Sequence, residues 1–200
     1  MIGATSGRPR LAAFGSSRLG SDNPAYADVT GLATAIAELG WDGMTGGHQG
    51  MMAAFSQGIH AGGGHIRGVT LERFPTPPEN TLSEEIRARD FFDRMRVMIE
   101  ESQAWLVLPG GLGTLAELAM TWDLIAIHVL EPRPLLLYGD MWEPVIDTLT
   151  EHLVISIDQA FAAIQICKTH ADVLAALHNP ASAGQNIARN DAGRARNHAE

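Results

Sequence analysis

Apolar positions along this chain fall into two rhythms. Short runs at Leu11–Phe14, Trp41–Thr45, His65–Leu71, Trp105–Leu108, Pro134–Tyr138 and Phe161–Cys167 have the length and continuity of buried strands. Between them, apolar residues recur every three or four positions, the period of a helix with one buried face. Tyr26, Val29, Leu32, Ala33, Ile36 and Leu39 form one such stripe, and Phe91, Met95, Met98 and Ile99 form another within Asp90–Glu101. Helices are also predicted over Met51–His60, Leu115–His128, Trp142–Leu153 and His170–Leu177. Asn23-Pro24 reads as an N-cap followed by proline at the first helical position, and Gly40 as the stop. The stretch from Phe74 to Thr81 holds three prolines and is expected to be a loop, with the character of a lid. Strands alternating with helices predict an α/β fold with a mostly parallel sheet and helices on both faces. From Asn179 to Glu200 the chain is polar and aperiodic. Residues 1–178 are therefore expected to form a single domain and 179–200 a flexible polar tail.

Two strand ends run into glycine-rich turns that open helices. The first is Gly46-Gly47-His48-Gln49-Gly50, leading into Met51-Met52; the second is Pro109-Gly110-Gly111-Leu112-Gly113-Thr114, leading into Leu115-Ala116-Glu117-Leu118. Glycine lets backbone approach a ligand, and a helix N-terminus presents unpaired N–H groups with partial positive charge, so an anion such as a phosphate fits there. A shorter turn, Gly15-Ser16-Ser17, follows the first strand and offers N–H and hydroxyl groups, or is an ordinary tight turn. Thr114 and Glu117 have the spacing of a capping box, which would satisfy the first helical amides without any ligand. The run of glycines before them exceeds what a cap needs. His48 is open between ligand contact and a solvated turn residue.

Composition narrows the chemistry. The 200 residues include 46% hydrophobic and 18% charged side chains, as expected of a globular domain. A formal net charge of −9 argues against general nucleic-acid binding. No apolar run is long enough for a membrane helix and no signal-peptide pattern stands at the N-terminus, so a cytoplasmic protein is expected. Cys167 is the single cysteine, which excludes an intrachain disulfide. The histidines lack metal-ligand spacing, and neither a metal nor a cofactor is expected. Lys168 is the single lysine and no Gly-Lys-Ser/Thr triplet exists, so there is no Walker-type phosphate loop. Cationic help for a bound phosphate must come from arginine.

At this point the motifs carry a resemblance. Pro109-Gly110-Gly111-Leu112-Gly113-Thr114-Leu115-Ala116-Glu117 resembles the P-G-G-x-G-T-x-x-E signature of the LOG (Lonely Guy) proteins, often labelled "possible lysine decarboxylase". Thr45-Gly46-Gly47-His48-Gln49-Gly50-Met51-Met52 is similar to the family's other glycine motif, with His48 and Gln49 interrupting the glycine run. Asp90-Phe91-Phe92-Asp93-Arg94-Met95 falls where the family carries an Arg-Lys pair, with Met95 in place of the lysine. The resemblance runs from about Leu11 to Leu177. It implies a Rossmann-like fold, a homodimer and a small-molecule nucleotide substrate. The implied activity is phosphoribohydrolase, releasing free base and ribose 5-phosphate from cytokinin riboside 5′-monophosphate or AMP. Related subgroups bind nucleotides or molybdenum cofactor. Arg94 and Glu117 fall on the family's catalytic positions, with Arg67, Arg73 and Arg96 as rivals for the cationic role. Gly15, Ser16, Gly46, Gly47, Gly50, Met52, Pro109, Gly110, Gly111, Gly113 and Thr114 are the expected nucleotide-binding set. A carboxylate beside the ribose would offset the positive charge that builds as an N-glycosidic bond breaks. With one lysine, next to Cys167, decarboxylase chemistry through a lysine Schiff base finds no support.

Overall fold

The computed structural model of the chain describes residues 7–77, 80–153 and 163–178. Within them lie seven strands: β1 (Arg10–Phe14), β2 (Asp42–Thr45), β3 (Ile66–Leu71), β4 (Glu84–Ala88), β5 (Ala104–Val107), β6 (Leu135–Tyr138) and β7 (Ile164–Cys167). The described helices are α1 (Pro24–Glu38), α2 (Met51–Ala61), α3 (Phe91–Glu100), α4 (Leu112–Ala126), α5 (Trp142–His152) and α6 (His170–His178). The strands form one sheet in the order β4-β3-β2-β1-β5-β6-β7, every neighbouring pair parallel. This is a Rossmann-like α/β arrangement.

The period-2 alternation of the strands divides the core in two. Leu11 and Ala13 of β1, with Leu106 of β5, face α1, α2 and α6. Ala12 and Phe14, with Trp105 and Val107, face α3, α4 and α5. Helices on both faces bury both sides of the sheet, which explains why the central strands read as unbroken apolar runs. The helix signals of the sequence are where they were expected: Asn23 caps α1, its side chain accepting from the Ala25 N–H at 3.0 Å, Pro24 is the first helical residue, and Gly40 takes a positive φ of 97° just past the end. The strand order reverses between β1 and β5. At that point the loops leaving the two strands diverge to opposite faces and open a crevice at the carboxyl ends.

Two elements differ from the sequence expectation. β4 is a strand that the apolar pattern does not predict. It is the sheet edge, with Glu84, Glu85 and Arg87 interleaved with Ile86 and Ala88, and a charged edge strand buries too little to leave an apolar run. α4 starts at Leu112 rather than Leu115, a turn earlier, with Gly111 as N-cap and no side-chain cap bond. The capping-box reading of Thr114 and Glu117 is thereby corrected: both lie inside the helix and both are buried. The expected start of the last strand at Phe161 and the expected tail at 179–200 lie outside the described residues.

Candidate functional site

Three turns meet at the carboxyl edge of the sheet. The Ser16 N–H after β1 donates to the Pro109 carbonyl after β5, at 3.1 Å, and the Ser16 carbonyl accepts from the Met51 N–H at the start of α2, at 2.8 Å. Ser16 thus commits both backbone groups to joining the turns. Gly15 is required by packing, since a Cβ there would lie 2.8 Å from the Cβ of Met51. Gly50, at φ 72°, lies against the backbones of Ser16 and Ser17, where a side chain would collide with the Ser16 carbonyl. Gly47, at φ 65°, donates its N–H to Thr45 Oγ1 at 3.1 Å.

Pro109, Gly110 and Gly111 carry the chain from β5 into α4. Gly110 sits beneath Thr114, whose side chain occupies the space a Cβ would need. A Cβ on Gly111 or Gly113 would meet nothing within 4 Å, so these two glycines face open space. The first-turn amides of Leu112, Gly113 and Thr114 have no partner within the helix, as at any helix start, and no side chain caps them. Here the backbone offers an anion site without protein atoms in the way.

Inside α4, the Glu117 carboxyl is nine-tenths buried and has Arg94 of α3 as its ion-pair partner, Nη2 to Oε1 at 3.7 Å. Burial pushes the Glu117 carboxyl up from the ordinary 4.5 to about 7, and the nearby Arg94 charge holds it from rising further. Burial likewise lowers Arg94, with Glu117 opposing; an arginine keeps its proton under such conditions. Arg94 reaches Glu117 past Gly46, and a Cβ on Gly46 would overlap the guanidinium and crowd Met52 Sδ at 2.9 Å. The guanidinium Nε is buried with no hydrogen-bond partner. Met95, the next residue, turns the other way into the core beside Met44 and Leu118.

The rival arginines lie away from this pair or are exposed. Arg67 donates to Glu84 at 2.9 Å and to Glu101 at 2.5 Å, near the opposite end of the sheet. Arg96 pairs with Asp93 and Glu100 on an exposed helix face. Arg73 is exposed in the turn after β3. Lys168 Nζ donates to Glu143 at 2.6 Å beside the edge strand β7, away from all three glycine turns.

A cleft of about 250 Å³ opens next to this pair. Arg94, Gly46, Gly47 and Met52 line it together with Ser17, His48, Thr70, Leu71, Phe74 and Pro75. Of the expected site residues, then, four line the cleft. Glu117 touches it through Arg94, and the Pro109–Thr114 turn lies outside its lining. Thr70 and Leu71 were not singled out in the sequence, and Phe74 and Pro75 only as the start of the proline-rich loop. The prolines mark their loop, but only the pairing of β3 with β4 brings that loop over the cleft. Among the described residues, no group of three His, Cys, Asp or Glu side chains could hold a metal, and no helix is long and apolar enough to cross a membrane.

Comparison with known proteins gives the family and the fold. The family model described as possible lysine decarboxylase matches residues 52–177. A probable cytokinin riboside 5′-monophosphate phosphoribohydrolase of Arabidopsis thaliana is 39% identical over 87 residues, 42% of this chain and 43% of that protein. A second Arabidopsis protein, named as a cytokinin riboside 5′-monophosphate phosphoribohydrolase, is 31% identical over 125 residues, 60% of this chain and 58% of its own length. The matched stretch thus spans about half the length of these curated relatives. Among solved structures, the molybdenum cofactor carrier protein of Chlamydomonas reinhardtii superposes with a TM-score of 0.67 at 19% identity, covering 88% of this chain and 99% of its own, which is a likeness of fold. On the motifs, the sheet order and the family match, this chain belongs to the possible lysine decarboxylase family, the LOG (Lonely Guy) family.

Proposed function

We propose that this chain hydrolyses the N-glycosidic bond of a nucleoside 5′-monophosphate, either cytokinin riboside 5′-monophosphate or an AMP-like nucleotide, to free base and ribose 5-phosphate. The observation that carries the reading is the buried Glu117 carboxyl, paired with Arg94 and lying little more than one turn inside the uncapped N-terminus of α4. The open amides of Gly113 and Thr114 would take the 5′-phosphate, and the ribose would then extend toward Glu117. Breaking the bond between C1′ and the base nitrogen leaves the electron pair on the base and positive charge on the ribose. The Glu117 carboxylate offsets that charge and accepts a proton from the water whose oxygen bonds to C1′; that proton then passes to the departing base nitrogen, so the base leaves neutral and the carboxylate is restored. A carboxyl that titrates near 7 is well matched to a general base at neutral pH. The names of the plant relatives support this chemistry.

The test is incubation with AMP and with isopentenyl-AMP, followed by chromatography for free base. Release by the wild type, falling at least about 100-fold in Glu117→Gln, is the expected result. Tight nucleotide binding with no release would favour the alternative, a nucleotide or molybdenum-cofactor carrier; two solved structures of similar fold are a molybdenum cofactor carrier protein and a molybdenum cofactor binding protein. We also propose a homodimer, which the exposed large apolar side chains of Leu112 at the start of α4, and of Ile127 and Val129 just past its end, support.

A further inference from the structure

One cleft residue has no task in the reading above. His48 follows Gly46-Gly47 in the turn after β2 and lines the cleft beside β3. Its backbone is held on both sides. Gly47 before it is tied to Thr45 Oγ1 and lies against Thr70 and Gly68 of β3, and the carbonyl of His48 itself accepts from Asn80 Nδ2 at 3.2 Å. The imidazole is therefore carried on a fixed support. Ring Nδ1 is buried without a hydrogen-bond partner, so the imidazole lines the cleft with hydrogen-bonding capacity that the protein leaves unused.

The neighbouring walls make this imidazole distinctive. Leu71, Phe74 and Pro75 are apolar and offer flat surface to a heterocycle. Thr70 is polar, but its hydroxyl donates to Glu85 Oε1 at 2.6 Å. Arg94 is directed at Glu117. On the β3 side of the cleft, His48 is thus the polar side chain not already engaged, and it stands where a further glycine would have left bare backbone.

We propose that His48 is a specificity-determining residue whose imidazole hydrogen-bonds the nitrogen heterocycle of the bound nucleotide, with the ring seated against Leu71, Phe74 and Pro75. This rests on the nucleotide reading of the site. It divides the ligand between the cleft and the turn beside it: phosphate at the α4 N-terminus outside the cleft, ribose at the Glu117–Arg94 pair, base in the cleft at His48. The contact forms with the base alone, so a ligand without a base does not feel it.

The experiment measures calorimetric affinities for AMP and for ribose 5-phosphate in the full chain carrying Glu117→Gln, so that nucleotide persists. His48→Ala and His48→Gln are compared with that parent, with melting temperatures checked to be equal. The expected result is an AMP affinity about 10-fold weaker in His48→Ala, the scale of one hydrogen bond, with ribose 5-phosphate unchanged. His48→Gln, which keeps a side-chain hydrogen-bonding group, loses less. Equal weakening of both ligands, or no weakening of AMP, overturns the assignment. So does a parent that binds AMP no more tightly than ribose 5-phosphate. A parent that binds neither ligand removes the nucleotide reading as well, an outcome distinct from the others.

Discussion

Glu117 is ionisable in a place that resists charge. Its folded-state value of about 7 lies above the 4.5 of an exposed carboxyl, so between those values the folded chain binds more protons than the unfolded one. Stability therefore falls as pH rises through that window. A shift of this size corresponds to about 3 kcal/mol at most. Glu117→Gln stays neutral throughout. Its melting temperature relative to wild type should climb between pH 4.5 and pH 8, and parallel curves from a thermal series would contradict the burial argument. The same carboxyl should appear in kinetics as an acidic limb of kcat/KM with an apparent pKa near 7. Arg94 holds that value down, so Arg94→Ala should move the limb to higher pH as well as lowering turnover, by about 100-fold or more. A pH profile of Arg94→Ala whose limb stays in place would mean that the two side chains are not coupled.

At the scale of elements, the turn after β2 and the helix α3 depend on each other through an absent atom. Gly46 has an ordinary φ, so the backbone tolerates alanine there, but the added methyl would occupy the position of the Arg94 guanidinium. The obstacle is the far end of a flexible side chain, so Arg94 should swing away while the fold persists. Gly46→Ala is expected to keep its stability within about 1 kcal/mol of wild type and to lose activity nearly as far as Arg94→Ala. Large destabilisation by calorimetry, with activity per folded molecule preserved, would refute this. The sequence could show that Gly46 lies in a glycine turn; it could not show that the space belongs to Arg94, 48 residues later. The Thr114 and Glu117 spacing misled for a related reason. A capping box and a helix already under way contain the same residues, and the start is set at Gly111, which has no side chain to cap the first amides of α4.

For the whole molecule, the alternation of apolar runs and helical stripes was enough for a mostly parallel layered fold, because both faces of the sheet are covered and its central strands are continuous in the sequence. Strand order was not legible. Nothing local says that β5 pairs with β1, and it is that pairing which sets Pro109 against Ser16 and makes the crevice. The cleft's far wall was hidden for the opposite reason: β4 is too polar to announce itself, and Thr70 to Pro75 gain their position from it. Assembly belongs to this scale too. With Leu112, Ile127 and Val129 exposed, light scattering at micromolar concentration should give twice the 21.4 kDa chain mass or more, and Ile127→Asp should reduce it toward the monomer.

Ser16 has a mechanical consequence. Its N–H belongs to the turn after β5 and its carbonyl to the first turn of α2, so a single peptide segment clasps both glycine turns. Neither turn can open alone without breaking a bond to the same residue. In hydrogen–deuterium exchange the amides of Ser16 and Met51 should therefore slow together when phosphate or nucleotide is added, even though only one of the turns would hold the anion. Protection at Ser16 without protection at Met51 would show that the clasp yields, and that each turn meets its part of a ligand independently.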